Sequence, residues 1–107
     1  MPNRIDPARF TDKTFIRKPT FAHSLNDYAV MIDGFPAGRI MQHKLAFGIV
    51  KWFWTITGPA LPNELDPGNG HEGTLEEAQE AFKAKFWQWH RFAMARNVPS
   101  TWYSVAP

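Results

Sequence analysis

The side chains best suited to chemistry lie in one polar segment of the sequence. Glu64, Asp66, His71 and Glu72 fall between positions 64 and 72, and carboxylates beside an imidazole are the groups that general acid and base catalysis uses. Catalysis also requires a fixed geometry. Residues 58–73 contain three prolines and four glycines, which is the composition of a long, solvated surface loop. The sequence therefore predicts no enzyme activity and no catalytic residue.

Metal and cofactor motifs are also missing from the sequence. The chain has no cysteine, and its four histidines form neither an HExxH motif nor a pair at helical ligand spacing. They are His23, His43, His71 and His90. No serine lies in a GxSxG setting, and no glycine-rich phosphate loop precedes a helix. We therefore predict no metal site and no cofactor.

Composition limits the kind of protein. The chain has 107 residues, of which 44% are hydrophobic and 15% aromatic, so we expect a packed single domain over residues 1–107. Its most apolar run, from Leu45 to Trp54, contains Lys51 and is too short to span a bilayer. Without cysteines or a signal-like segment, the sequence predicts a cytoplasmic protein with no membrane partner.

Three strand-like segments should position the polar groups, and they lie within residues 26–57. The Asp33–Gly34 pair is typical of a tight turn and predicts a hairpin, and β-branched and aromatic residues at 50–57 predict a third strand. Residues 1–20 contain three prolines and are predicted to form an extended arm, with a short strand near Phe15.

A long helix is predicted from residue 74 to residue 97, followed by a tail over 98–107. Thr74 and Glu77 have the spacing of a capping box, and Pro99 ends the segment. An apolar stripe recurs with helical period, formed by Leu75, Ala78, Phe82, Phe86, Trp89 and Ala93. We therefore predict an α+β fold: a three-stranded antiparallel meander, packed on one face by the C-terminal helix, with an extended N-terminal arm.

Strand alternation divides the third strand into two faces. Trp52, Trp54 and Ile56 share one face, which we expect to pack on the helix as core. The other face carries residues that mix positive charge with apolar groups, and the hairpin contributes to it. We predict an interaction face formed by Arg39, Met41, Lys51, Phe53 and Thr55.

Three occupants of that face are consistent with the sequence. A protein partner or a second copy of the chain is favoured, because few cations lie on the face. Nucleic acid is the alternative, using Lys51, Phe53 and the basic arm. The third possible occupant is the N-terminal arm of the same chain. The basic arm residues are Arg4, Arg9, Lys13, Arg17 and Lys18.

A second candidate surface lies on one flank of the predicted helix and is formed by Trp87, His90 and Met94. This flank is either part of the core or an interface.

Three segments carry a resemblance to known proteins: DGFPAGRIM at 33–41, WFWTITG at 52–58 and GTLEEAQEAFKAKFWQW at 73–89. Their order resembles a group of short uncharacterised bacterial proteins with a strand-strand-strand-helix core. The resemblance implies the fold and transfers no activity or site residue. The architecture is also similar to the arm-type DNA-binding domain of phage integrases. A double-stranded-RNA-binding domain fits less well, because this helix opens with Glu76 and Glu77 instead of lysines.

Overall fold

The computed structural model describes residues 3–5, 7, 10, 15–20, 26–96 and 100–102. Several predicted features lie outside the described residues: Arg9, Lys13, His23, the last predicted helix residue Asn97, Pro99, which was predicted to end the helix, and most of the tail. Seven strands are described, β1 (Asn3–Ile5), β2 (Phe15–Pro19), β3 (Asp27–Ile32), β4 (Phe35–Lys44), β5 (Val50–Ile56), β6 (Asn69–Glu72) and β7 (Ser100–Trp102). One α-helix, α1 (Leu75–Arg96), lies between β6 and β7.

The main sheet is antiparallel with strand order β2-β3-β4-β5-β6, and β1 pairs with β7 separately. The predicted α+β class with a C-terminal helix is confirmed, but the prediction of three strands was wrong, since the sheet has five. The hairpin turn lies where Asp33 and Gly34 have φ of 52° and 82°, a left-handed pair typical of tight hairpins.

Both additional strands form at the edges of the predicted meander. β2 lies in the predicted arm and pairs with β3, with Phe15 opposite Ile32. β6 lies in the segment predicted as loop and pairs with β5, with His71 opposite Phe53. Asn and Gly have low strand propensity, so the sequence NGHE gives no strand signal. These edge strands form because they complete the backbone hydrogen bonds of β3 and β5.

The predicted helix is confirmed, and its apolar stripe faces the sheet. Ala78, Phe82, Phe86, Trp89 and Ala93 are all buried. The Glu77 backbone N–H donates to the Thr74 hydroxyl over 3.1 Å, and the same hydroxyl donates to the Glu77 carboxylate over 3.0 Å. Thr74 is thus the N-cap that its spacing from Glu77 predicted.

The core between α1 and the sheet is rich in aromatic rings. Trp54 is buried, as predicted, whereas Trp52 is half-buried at the margin of the core. Phe10, which precedes β2, is fully buried and packs edge-on against Phe86 and Trp89 at centroid distances of 5.8 and 6.1 Å. Phe10 therefore packs on the helix side of the sheet.

The flank of α1 is largely occupied by the same N-terminal segment. The Trp87 ring lies edge-on to Phe15 at 5.9 Å, and His90 Nε2 lies 2.9 Å from the Pro7 carbonyl oxygen. Met94 remains exposed. Along the described residues, no helix combines the length and apolar character needed to cross a membrane.

Candidate interaction face

The side of the main sheet opposite α1, here called the open face, carries all five residues of the predicted interaction face. Register fixes their arrangement, because Arg39 lies opposite Thr55 and Met41 lies opposite Phe53. Lys51 lies opposite His43, one step closer to the loop between β4 and β5. All five side chains are half-buried, while their strand neighbours Ile40, Trp54 and Ile56 point into the core.

Arg39 is engaged by an acidic partner on the same face. Its Nε donates to Asp27 Oδ1 over 2.8 Å, and its Nη2 donates to Asp27 Oδ2, which makes a bidentate pair. The Thr20 hydroxyl donates to Asp27 Oδ1 over 2.7 Å. Hydrogen bonding from Arg39 lowers the pKa of Asp27 from its ordinary 3.8, partial burial opposes that shift, and the Thr20 bond adds to it. The charge of Arg39 is therefore neutralised within the chain.

This pair gives a prediction for stability in acid. The pKa of Asp27 is lower in the folded state than its ordinary 3.8. Its contribution to folding stability is therefore fully present above pH 3.8 and is lost as the pH falls through the lower, folded-state pKa. Asp27→Asn should lower the free energy of unfolding at neutral pH by about 1 kcal/mol or less, since the pair is partly exposed. Urea denaturation at pH 7 and pH 2.5 measures the difference, which should shrink at the lower pH.

The matched variant is Arg39→Gln, because it removes the other half of the pair. The double variant should be less destabilised than the sum of the two single variants. The pairing would be contradicted if the losses in the free energy of unfolding were additive. It would also be contradicted if Asp27→Asn lowered that free energy by the same amount at both pH values.

Three rings cluster on the open face across β4, β5 and β6. His43 stacks on Phe53 with a centroid distance of 4.8 Å and an interplanar angle of 5°. His71 lies 5.1 Å from Phe53, and His43 Nδ1 lies 3.0 Å from His71 Nε2. The sequence did not predict this cluster, because His71 was assigned to a loop. Once β6 is paired, alternation places Asn69 and His71 on the open face.

The polar segment does not bring its four ionisable groups together. His71 is on the open face, whereas the Glu72 carboxylate lies on the helix side, where it accepts a hydrogen bond from Trp54 Nε1 over 3.0 Å. Glu64 forms an ion pair with Arg96 over 3.6 Å. Among the described residues, no three or more His, Asp or Glu side chains form a group suited to a metal ion.

An apolar tip lies at the end of the β4–β5 hairpin. The tip, defined as residues 45–50, contains the connection from β4 and the first residue of β5. Its apolar side chains are all exposed: Leu45, Phe47, Ile49 and Val50. Phe47 is 99% exposed and has a φ of 61°. A backbone hydrogen bond of 2.7 Å from Leu45 N–H to the Ile49 carbonyl closes the loop. Exposed apolar clusters of this kind commonly mark contact sites.

Comparison with known proteins finds no matching family model, no similar curated protein and no similar solved structure. No function therefore transfers to this chain from a relative. The functional proposal depends on the chemistry of the open face and of the tip.

Proposed function

We propose that the protein is a small non-enzymatic interaction domain that binds a second copy of itself through the open face and the tip. One observation carries the proposal: two pairs of apolar side chains lie on the side of the sheet opposite α1. Ile16 on β2 lies opposite Met31 on β3, and Met41 on β4 lies opposite Phe53 on β5. Ile16 is 59% exposed, and burial of such side chains supplies the free energy of association.

The charge pattern of this face favours protein over nucleic acid. Phosphate binding depends on cations that are free to replace counterions. Arg39 is paired with Asp27, whose carboxylate would also repel a phosphate. Arg17 points to the helix side, where it lies 4.4 Å from the Tyr28 ring centroid and donates to Gln79 over 2.6 Å. Arg39, which belongs to the predicted interaction face, and Arg17, which belongs to the basic arm, thus both have protein partners.

A second copy of the chain is the partner that the face fits best. Most dimers are formed by a twofold contact in which the same patch meets itself. Such a contact is favourable when the patch is apolar and does not place like charges together. The internal pairing of Arg39 with Asp27 removes one such conflict on the open face. The tip adds Phe47 as a second exposed aromatic side chain, at the end of the β4–β5 hairpin.

Phe53→Ser should weaken self-association without unfolding the monomer. Aromatic side chains near the centre of an interface commonly contribute about 2 kcal/mol or more on truncation, so the dimer dissociation constant should rise by at least about tenfold. Sedimentation velocity over a range of protein concentrations measures this constant, and circular dichroism checks the fold. Phe47→Ser at the tip should have a smaller effect in the same direction.

Met94→Ser is the matched control, because Met94 is 44% exposed on α1 and away from the open face. It should leave the dissociation constant unchanged. Equal constants for Phe53→Ser and the wild type would contradict the proposed face. Salt-dependent binding of generic DNA or RNA that Phe53→Ser abolishes would support the nucleic-acid alternative instead.

A further inference from the structure

We propose that His43 and His71 form a binding site for a divalent transition-metal ion, with Cu²⁺ held most tightly. The two imidazoles project from β4 and β6 on either side of β5, and His43 Nδ1 faces His71 Nε2 at 3.0 Å. Imidazole nitrogen is the common protein ligand for copper, nickel and zinc. Although the sequence predicted no metal site, pairing of β6 brings two ligands together from residues 28 positions apart.

The nitrogen separation indicates which geometry the site prefers. With metal–nitrogen bonds of about 2.0–2.1 Å, two nitrogens 3.0 Å apart subtend an angle of about 90–100° at the metal. That angle suits neighbouring positions of a square-planar or tetragonal complex, which Cu²⁺ and Ni²⁺ adopt. A tetrahedral Zn²⁺ requires a wider separation. Geometry and the Irving–Williams order therefore both favour Cu²⁺.

The surrounding sheet holds the two ligands in place. Phe53 lies on β5 between the two strands that carry them, directly opposite His71, and its ring stacks on His43 and contacts His71. Backbone pairing of β4 with β5 and of β5 with β6 fixes the spacing between the two rings. Phe53 thus acts as a positioning residue for both imidazoles. In the metal-free protein one of the two facing ring nitrogens donates a hydrogen bond to the other. For both nitrogens to bind a metal, the donating ring must carry its N–H on its other nitrogen, so binding requires a change of tautomer.

The remaining coordination positions are open to water or to a donor atom from another molecule. Among the described residues, no third His, Asp or Glu joins the pair. Lys51, opposite His43 in the register, adds positive charge nearby, so hard cations that rely on carboxylates have no favourable ligand set here. The site does not depend on self-association, because both ligands belong to one chain.

Titration of the full-length chain with CuCl₂, followed by calorimetry, tests the site. Because either substitution leaves only one imidazole, His43→Gln and His71→Gln should each lower the Cu²⁺ affinity at least tenfold. His90→Gln is the matched control: its Nε2 bonds to the Pro7 carbonyl, away from the open face, so Cu²⁺ affinity should not change. Ni²⁺ and Zn²⁺ should bind in the same place, more weakly.

A second measurement on the wild-type protein needs no substitution. Substoichiometric Cu²⁺ should broaden the amide resonances around His43, Phe53 and His71 before any others. Loss of affinity in both variants together with this broadening supports the site, whether the ion binds one chain or joins two. Variants that bind as tightly as the wild type, or broadening centred elsewhere, would overturn it.

Discussion

Trp54→Ala should lower the free energy of unfolding by about 3–5 kcal/mol, the usual cost of removing a buried tryptophan. Trp54 is only 6% exposed, and its Nε1 donates to Glu72 over 3.0 Å. The substitution leaves a cavity under α1 and removes the hydrogen-bond partner of a part-buried carboxylate. The total free energy of unfolding of a domain of this size is about 5–15 kcal/mol, so the substitution would remove a large share of it. Urea denaturation with far-ultraviolet circular dichroism measures the change.

Phe47→Ala is the control for this prediction, because Phe47 is almost fully exposed. Its free energy of unfolding should stay within about 0.5 kcal/mol of the wild type. A Trp54→Ala protein as stable as the Phe47→Ala protein would mean that Trp54 is a surface residue. In that case the tryptophans of β5 would be available as a binding platform.

Gly38→Ala is the second substitution with a large expected effect. Gly38 lies on β4 where α1 approaches the sheet, and an added Cβ would collide with the Thr55 carbonyl oxygen and the Phe82 ring. The backbone oxygen cannot move without disturbing the β4–β5 pairing, and Phe82 is buried. Overpacking of this kind costs about 1–3 kcal/mol or more. Thermal denaturation should show a clearly lowered midpoint.

Gly73→Ala provides a matched control from the same chain. A Cβ at Gly73 would meet only the end of the Glu77 side chain, at 3.3 Å, and that side chain can move. The stability of Gly73→Ala should therefore be close to that of the wild type. If both glycine variants have the same midpoint, the close approach of α1 to β4 is not present in solution.

Local patterns were enough to predict the helix and the central strands. The stripe that includes Phe82, Phe86 and Trp89 has helical period, and the cap at Thr74 depends on residues only three positions apart. Alternation in β5 likewise predicted that Trp54 is core. The short strand predicted near Phe15 corresponds to β2. β6 could not be predicted in this way, because Asn69 and Gly70 have low strand propensity and the strand is stabilised by pairing with β5.

In the candidate site, too, residues that share one strand could be grouped from the sequence, whereas contacts between strands could not. Alternation was sufficient to group Lys51, Phe53 and Thr55, which share one strand. The Arg39–Asp27 pair and the contact of His43 with His71 both depend on strand register, which the sequence does not specify without its partner strands. The exposure of Phe47 is a property of the folded hairpin. An apolar segment of that composition is equally consistent with a buried strand.

A dilution series followed by two-dimensional NMR of the wild-type protein tests the proposed self-association most directly. Amide shifts that change with protein concentration report the contact surface residue by residue. We expect them on the open face and the tip, around Met41, Phe47 and Phe53, with little change along the exposed side of α1. Shifts that do not depend on concentration up to the millimolar range, or shifts confined to α1, would contradict the proposal.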